Sequence, residues 1–449
     1  MNFKMTFEHT TSSIGQRIFF RIKDRSPFWL QAINFFAQSV LVAAVLASTA
    51  QAQTAYNWDQ IKSKFEAANP TLKADAINVQ EMKAQEITAY LRPNPTTTLL
   101  ADQLYPFTSD PYYRPFANVL VEGTISYLYE RRHKRELRLE SAQEGTQIAS
   151  DQHLDLERTL LFTLRSAFVQ TLQAKAVLDL SRQQLAYYDN IISISRERFK
   201  AGDVAQVDLD RIELQRVQYQ SDLQTAEVNL RTAKIQLLQL LNDRTPVDQF
   251  DVKGSFDYSD QLQPLETFRQ TALDNRPDLK AALESVQQAN TNHKLAMANG
   301  STDPTISVDA GRNTPPLTDP YMGFSVSIPL RIFDRNQGEK LRTQLDIGRN
   351  QQLTEAARAG VFSDVDSAYA IVNSNLILLR PYKAQYLAQA LRVREIITFS
   401  YQHGGASLLD FLNAQSDYRT VQLAYLQLIG SYLTATAQLN LAVGREVIQ

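Results

Sequence analysis

The sequence predicts a mainly α-helical fold in which long coiled helical hairpins are combined with four β-strands. Three observations support this prediction. Apolar and small residues recur every seven positions through long stretches without proline, as they do in coiled coils. Two short regions instead alternate apolar with polar or small residues, as β-strands do. Similar segments also recur about 200 residues apart, which indicates that one half of the chain is a duplicate of the other.

The composition excludes several functional classes. Among the 449 residues, 46 Lys and Arg are balanced by 48 Asp and Glu, whereas a nucleic-acid-binding protein usually carries a basic excess. Because the sequence has no cysteine, disulfides, thiolate metal sites and a lipid on an N-terminal cysteine are excluded. The histidines lack metal-ligand spacing, and no nucleotide or nucleophile motif is present. We therefore predict that the protein has no catalytic, cofactor-binding or metal site and that it is not an enzyme.

The first 52 residues form a predicted signal peptide. Basic side chains within residues 1–25 precede an apolar run at about residues 32–46. Ala50 and Ala52 then place small residues at the −3 and −1 positions of a cut after residue 52. The alternative is an N-terminal membrane anchor, for which this apolar run is short. The predicted mature protein spans residues 53–449 and contains no apolar run long enough for a membrane helix.

The first half is predicted to contain a long helix, a tight turn and a shorter return helix. No proline occurs between about His133 and Lys200, so this helix would be roughly 100 Å long. The return helix would follow Gly202 and end near Leu241. Rows of residues at seven-residue spacing define the predicted contacts of the two helices, namely Leu164, Thr171, Leu178, Leu185, Ile192 and Phe199 in the first, and Ile212, Tyr219, Ala226, Ala233 and Leu240 in the second.

The second half repeats this layout. The two predicted repeats span about residues 58–241 and 262–444, and each contains a helix start marked by proline, at Pro70 and Pro277. The seven-residue rows of the second repeat are Val365, Val372, Leu379, Tyr386 and Val393, with the companion row Tyr369, Leu376, Ala390 and Ile397.

Each half also contains one predicted β-hairpin, at about residues 95–129 and 303–331. In the second hairpin, Phe324 and Val326 flank Ser325, so the strand would have one apolar face and one small, polar face. Four strands of this length cannot close a barrel by themselves. The apolar face of such a sheet would therefore need lipid or further chains to cover it.

This layout resembles the TolC family of outer-membrane efflux proteins over about residues 58–444. The resemblance is carried by the order and spacing of several weak motifs: the duplicated proline starts, the strand exit at residues 328–334, the hairpin at residues 401–414 and the closing segment at residues 435–444. It implies a homotrimer with a twelve-stranded barrel in the outer membrane and an α-helical tunnel that extends into the periplasm. An equatorial belt is implied from residues 242–268 and the chain ends.

The resemblance also implies a function, as the passive exit duct of a tripartite efflux system. An inner-membrane pump of the RND or ABC type and a periplasmic adaptor, or membrane fusion protein, would deliver metal cations or drugs. Residues 333–338 resemble the strand exit of the subgroup that is paired with heavy-metal cation exporters. Two alternatives stay open: an outlet for type I protein secretion, which has the same fold, and a structural coiled coil of the periplasm, which does not.

The turns between the paired helices provide the first set of candidate functional residues. Glycine at these turns permits the left-handed backbone conformation that ends a helix, and this structural role alone could explain it. In the family, the helical tips also contact the adaptor. The resemblance therefore implies adaptor contact by the residues at the two turns, namely Gly202, Asp203, Gly404, Gly405 and Ser407.

The second set of candidates lies one to two helical turns beyond these tips. Asp208 and Asp410 could each stabilise a helix N-terminus through the helix dipole. In the family, carboxylates at the position of Asp410 line the periplasmic entrance, and Tyr401 matches a tyrosine of the closure network. The resemblance therefore implies a pore entrance formed by Asp208, Tyr401 and Asp410. The sequence departs from the best-known member at Ala406, where that member has arginine, and at Asn413, where it has a second acid.

Overall fold

The computed structural model describes residues 54–104, 119–315 and 319–448. The predicted signal peptide lies outside the described residues. So does most of the connector within the first predicted hairpin.

Helices account for most of the described chain. In the first half, two short helices precede a hairpin of two long ones: α1 (Trp58–Ala68), α2 (Pro70–Tyr90), α3 (Lys134–Ala201) and α4 (Gln206–Leu240). In the second half the same order recurs, with the third helix interrupted by a π-helical turn: α5 (Leu265–Asn275), α6 (Pro277–Asn299), α7 (Gln337–Pro381), the π turn (Tyr382–Tyr386), α8 (Leu387–Gln402) and α9 (Leu408–Val443).

The proline starts are helix junctions. Asn69 accepts a hydrogen bond from the Leu72 N–H through its side chain, and Pro70 occupies the first helical position, where its missing N–H costs nothing. Pro277 begins α6 in the same way. At the junction that Pro277 marks, the buried Arg276 pairs with Asp278 at 2.6 Å and with Asp364 at 2.7 Å. The second junction therefore uses a charge network where the first uses a side-chain cap.

Helix α3 is the spine of the molecule. Its 68 residues span about 100 Å at the usual rise per residue. It packs against α2, α4, α6 and α9, so it links the two halves. Leu164, Thr171, Leu178 and Ile192 of the predicted row are buried and Leu185 is half-buried, but Phe199 is 37 % exposed. The heptad spacing therefore identified the packed face of this helix except at its last predicted member, which lies two residues from the helix end.

The predicted strands form one antiparallel sheet of four. Its members are β2 (Thr96–Asp102), β3 (Leu120–Leu128), β5 (Thr305–Asn313) and β6 (Pro320–Ser327), in that spatial order. The pairing of β3 with β5 joins the two halves, with Glu122 opposite Gly311 and Ile125 opposite Val308. The outer strands β2 and β6 each lack a second partner within the described residues.

The two faces of this sheet differ in chemistry. The register places Ile125, Val308 and Phe324 side by side on one face, and Phe324 is 69 % exposed. The opposite face carries hydroxyl and acidic side chains, and the Ser126 and Ser307 hydroxyls lie 2.9 Å apart. Within the part of the chain that the structure describes, the apolar face is therefore uncovered.

A second, smaller sheet ties the start of the described chain to the segment after α4. Its strands, β1 (Thr54–Tyr56) and β4 (Phe250–Val252), run parallel. Nearby, Lys64 of α1 forms an ion pair with Asp243, and this hydrogen bond lowers the pKa of Asp243 to about 2. The two contacts hold α1 against the end of the first half.

One predicted seven-residue row of the second half is wrong beyond the π turn. Val365, Val372 and Leu379 are buried as predicted, but Tyr386 and Val393 are 44 % and 45 % exposed. A π turn holds one residue more than an α turn, so the packed row moves on by one position. The row continues at Leu387, Arg394 and Tyr401, of which Tyr401 is buried and the other two are half-buried.

Candidate functional site

The two helix–helix turns lie together at one end of the helical bundle. The first turn joins α3 to α4 and the second joins α8 to α9. One apolar cluster packs them side by side; we call it the tip cluster, and its buried members are Tyr188, Ile191, Ile192, Ile212, Tyr219, Tyr401, Leu408 and Phe411. The fold therefore brings both sets of candidate residues into one region.

The first turn is closed by backbone hydrogen bonds and remains exposed. Gly202 adopts a φ of 85°, in the left-handed region. Its N–H donates to the Phe199 carbonyl at 3.0 Å, and the Asp203 N–H donates to the Arg198 carbonyl at 2.9 Å. Apart from its own chain neighbours, no described residue lies within 4 Å of the position that a Cβ of Gly202 would occupy. The outer surface of this turn is open to solvent.

The second turn has one glycine that its backbone requires and one that it does not. Gly404 has a φ of 78°, whereas Gly405 is not among the residues of positive φ. A Cβ at Gly405 would meet only the Ser400 backbone oxygen, at 3.6 Å, and the Ser400 Cβ, at 3.9 Å, which are ordinary contacts. Backbone geometry therefore explains why position 404 is glycine. At position 405, glycine means that no side chain projects from the surface of the tip.

Ser407 and Asp410 form a capping box at the start of α9. The Asp410 N–H donates to the Ser407 hydroxyl oxygen at 3.1 Å. In return, the Ser407 hydroxyl donates to Asp410 Oδ2 at 2.7 Å, and the Ser407 N–H donates to the same oxygen at 3.3 Å. Asp410 remains exposed in spite of these bonds. Its carboxylate thus stabilises the helix and still presents a negative charge to solvent.

Asp208 lies in the first turn of α4 and is half-buried. Its own N–H bonds to the Ala205 carbonyl at 3.1 Å. Burial raises the pKa of the Tyr401 phenol, Arg198 lowers it, and the nearby Asp208 carboxylate raises it. Asp208 is therefore close to Tyr401 of α8, whereas Asp203 lies at the outer surface.

Tyr401 is a packing residue of the tip cluster rather than a surface residue. Only 7 % of it is exposed, and its ring stacks on Phe411 with centroids 4.9 Å apart. The Arg198 guanidinium lies 5.7 Å from the ring centre and donates to the Tyr401 carbonyl at 2.9 Å. Burial raises the pKa of Tyr401, so the phenol is neutral at physiological pH. Tyr401 could therefore affect an entrance only indirectly, by its contribution to the packing of the two turns.

Sequence reasoning missed the arginines that join the two hairpins. Arg198 connects α3 to α8, and Arg419 of α9 pairs with Asp222 of α4. Arg394 of α8 lies 4.7 Å from the Tyr187 ring and 4.0 Å from the Tyr418 ring. A basic residue in the last turn of a helix was a usable signal for Arg198. Arg394 occupies a half-buried position on α8 that the shifted register after the π turn explains. Arg419, on the separate helix α9, is half-buried by the packing of α9 against α4.

The chemistry available at this site is electrostatic. Across residues 54–104, 119–315 and 319–448, no three His, Asp or Glu side chains lie close enough to hold a metal ion. In those same ranges, no helix is both long and apolar enough to cross a bilayer. The tips carry exposed carboxylates and exposed glycines at their surface, and the tip cluster packs inside them. Such an arrangement can repel or attract ions and receive a partner.

Comparison with known proteins adds to this description. Residues 268–445 match the family described as outer membrane efflux protein. The cobalt-zinc-cadmium resistance protein CzcC of Cupriavidus metallidurans is 22 % identical over 313 residues, which cover 70 % of this chain and 74 % of that protein. The outer membrane protein TolC of Escherichia coli is 22 % identical over 435 residues, covering 90 % of this chain and 85 % of TolC.

The fold is also that of solved channels. The structure of CusC superimposes with a TM-score of 0.74 at 17 % sequence identity, covering 86 % of this chain and 92 % of CusC. Its low identity means that it informs the fold rather than the residues of the tips.

Proposed function

We propose that this chain is an outer membrane efflux protein of the TolC type and that three copies form one duct from the periplasm to the cell exterior. The matches to the family, over residues 268–445, and to TolC support the family membership and the outer-membrane location predicted from the sequence. The observation that carries the proposal is the four-stranded sheet with one uncovered apolar face and one polar face.

The sheet supports a barrel shared between copies. Its outer strands β2 and β6 each have a free edge within the described residues, and free edges favour pairing with another chain. Pairing β6 of one copy with β2 of the next gives a closed barrel, with three sheets of four strands. The apolar face, with Leu99 and Met322 more than three-quarters exposed, would then contact lipid. The polar face would line the channel.

The helices support the same assembly. Helix α4 has a second row of residues at seven-residue spacing, distinct from the buried row that contains Ile212 and Tyr219. Its apolar members are exposed in the single chain, namely Val207, Leu214, Val228 and Ile235. An uncovered heptad row on a long helix is a seam for a further helix. We assign this seam to the neighbouring copy, which would extend the coiled packing around a tunnel.

The tips would form the periplasmic entrance. Three exposed copies of Asp410 and three half-buried copies of Asp208 would make this entrance acidic, which favours cations and resists anions. Gly202, Asp203, Gly404 and Gly405 are exposed at the outer end of the turns, where an adaptor could dock. Ser407 is engaged in the capping box, so it would contribute to docking by positioning the turn.

We propose metal cations as the cargo. On the polar face of the sheet, the described strand residues include Asp102, Glu122 and Asp309 and no lysine or arginine. Repeated around a barrel, this face would give a negative lumen that passes cations easily. The cobalt-zinc-cadmium resistance protein is one of the relatives of this chain, which is consistent with that cargo.

Deletion of the gene tests this function. A deletion strain should lose tolerance to zinc, cobalt or cadmium, and the wild-type gene should restore it, because the exit step would be missing. Growth curves over a metal series measure the effect, with detergents and dye-like drugs as parallel series. Sensitivity to drugs alone would overturn the cation assignment while keeping the duct. Loss of a secreted protein with unchanged metal and drug tolerance would instead favour the type I secretion outlet.

A further inference from the structure

A cavity lies where the two halves of the chain and the end of α9 meet, far from the tips. Its wall is formed by the start of α1, the middle of α3, the residues after β4, the start of α6 and residues 437–448. We call it the junction cavity. The part of α3 that lines it begins 20 residues after the helix start, about 30 Å along the helix from the sheet. The junction cavity therefore belongs to neither the barrel nor the entrance.

The junction cavity has the size and lining of a small-molecule site. Its volume is about 750 Å³, within the range of typical ligand pockets. Apolar side chains from three elements face it, including Leu161 and Phe162 of α3, Pro277 of α6 and Leu441 of α9. Trp58 adds an aromatic ring at one side. Such a lining suits a ligand with a flat or apolar body.

The charged groups around the junction cavity are mainly basic. Five cationic side chains line it, against three carboxylates. One of the carboxylates, Glu446, accepts a hydrogen bond from the Trp58 indole N–H at 3.4 Å. Among the described residues, Arg158 is the cavity cation that forms ion pairs, with Asp155 and, at 3.3 Å, with Asp278. The cavity therefore carries an excess of positive charge.

Arg165 is one of the cations of this cavity without an ion-pair partner among the described residues, and it packs against aromatic rings. Its guanidinium lies 4.4 Å from the centre of the Trp58 ring and 5.9 Å from that of Phe168. Among the residues that the structure describes, no carboxylate lies within ion-pairing distance of it, and it is half-buried. Burial lowers the pKa of Arg165, while the more distant Glu446 and Asp59 act in the opposite direction. Removing such a cation from water without a partner is costly.

We propose that the junction cavity binds an organic anion whose acidic group pairs with Arg165 and whose flat body rests against Trp58 and the apolar wall. A planar guanidinium suits a carboxylate or sulfonate because two N–H groups can bind two oxygens. The contact with the Trp58 ring holds the guanidinium at the cavity wall, and no described carboxylate lies within ion-pairing distance of its N–H groups. The site goes beyond the duct function, and neither proposal depends on the other.

The test is calorimetric titration of the full protein, purified from the outer membrane in detergent, with naphthalene-1-sulfonate. Neutral 1-naphthalenemethanol is the matched ligand control. We expect saturable binding of the sulfonate, at least a tenfold weaker affinity for Arg165→Met, and an intermediate affinity for Arg165→Lys, which keeps the charge but loses the fork. Arg182→Met, on the same helix and with a side chain that is 57 % exposed, should bind like the wild type.

Three outcomes would overturn the proposal. The first is the absence of binding to the wild-type protein, as expected if a neighbouring copy fills the cavity. The second is equal affinity of the wild type and both Arg165 variants, which would place the ligand elsewhere. The third is equal binding of the neutral alcohol, which would make the cavity an apolar site only. Because Arg165→Lys retains the cation, it keeps the test valid if Arg165→Met does not fold.

Discussion

At the scale of single residues, Asp410 has two properties that the sequence presented as alternatives. It completes the capping box with Ser407 and it remains exposed near the turn. A capping carboxylate interacts with the helix N-terminus, but it keeps its negative charge. The structural reading and the proposed entrance role are therefore compatible. A variant that removes only one of the two properties can separate them.

Asp410→Asn and Ser407→Ala make this separation. Asparagine keeps an acceptor for the cap and removes the charge, so channel block by multivalent cations should weaken severalfold in bilayer recordings. Ser407→Ala keeps the charge and removes the hydroxyl bonds, so it should cost about 1 kcal/mol of stability and leave the block unchanged. Equal block in the wild type and Asp410→Asn would remove Asp410 from the entrance.

At the scale of elements, the π turn decides which residues of the second hairpin face the core. Pro381 has no N–H for the Ile377 carbonyl, and a proline inside a helix disrupts the ladder at that point. The π turn follows directly and adds one residue to the helix. Without this addition Tyr401 would leave the packed row and would not reach Phe411. The turn is thus what aligns α8 with the tip cluster.

Single-residue deletions test this account. Removing the exposed Ala384 from the π turn should convert it to an α turn and leave the downstream row in place, so the protein should fold with little loss of stability. Removing the exposed Glu395 from the α-helical part should rotate a stretch of the row by about 100° and cost several kcal/mol. Thermal unfolding followed by circular dichroism measures both. A larger loss for the Ala384 deletion would contradict the account.

At the scale of the whole molecule, the sheet is stable only if something covers its apolar face. The face is continuous across the strands, from Leu99 through Ile125 and Val308 to Phe324. A single copy leaves these side chains in water, which a soluble protein avoids for a patch of this kind. In the proposed assembly, membrane insertion of a closed barrel would remove both the free edges and the exposed face.

Neighbouring residues of β3 provide the test. Ile125→Lys places a charge on the apolar face and should cost about 2–4 kcal/mol if that face meets lipid, so less protein should reach the outer membrane as heat-modifiable trimer. Thr124→Lys places the same charge on the polar face and should assemble normally while reducing cation current. Gel migration of heated and unheated membrane fractions measures assembly. A worse defect for Thr124→Lys would reverse the proposed orientation of the sheet.

The sequence by itself determined the helices and strands, because the residue patterns that indicate them are local. Heptad spacing placed Leu164 and Ile212 in the core, and alternation separated the faces of the strands that carry Ile125 and Phe324. It also identified the family, through motif order rather than through any one residue. The roles of the predicted tip and entrance residues remain proposals, since low identity to the relatives does not carry residue roles.

Only the tertiary structure decided how those elements meet. The shift of register at Tyr382–Tyr386 depends on hydrogen bonds that the heptad pattern does not encode. The burial of Tyr401 and the capping of Asp410 follow from packing at the tip, where residues about 200 positions apart come together. The junction cavity and the unpaired Arg165 arise because five distant segments converge. Periodicity reports which face of an element is buried, whereas the identity of its neighbours is set by long-range packing.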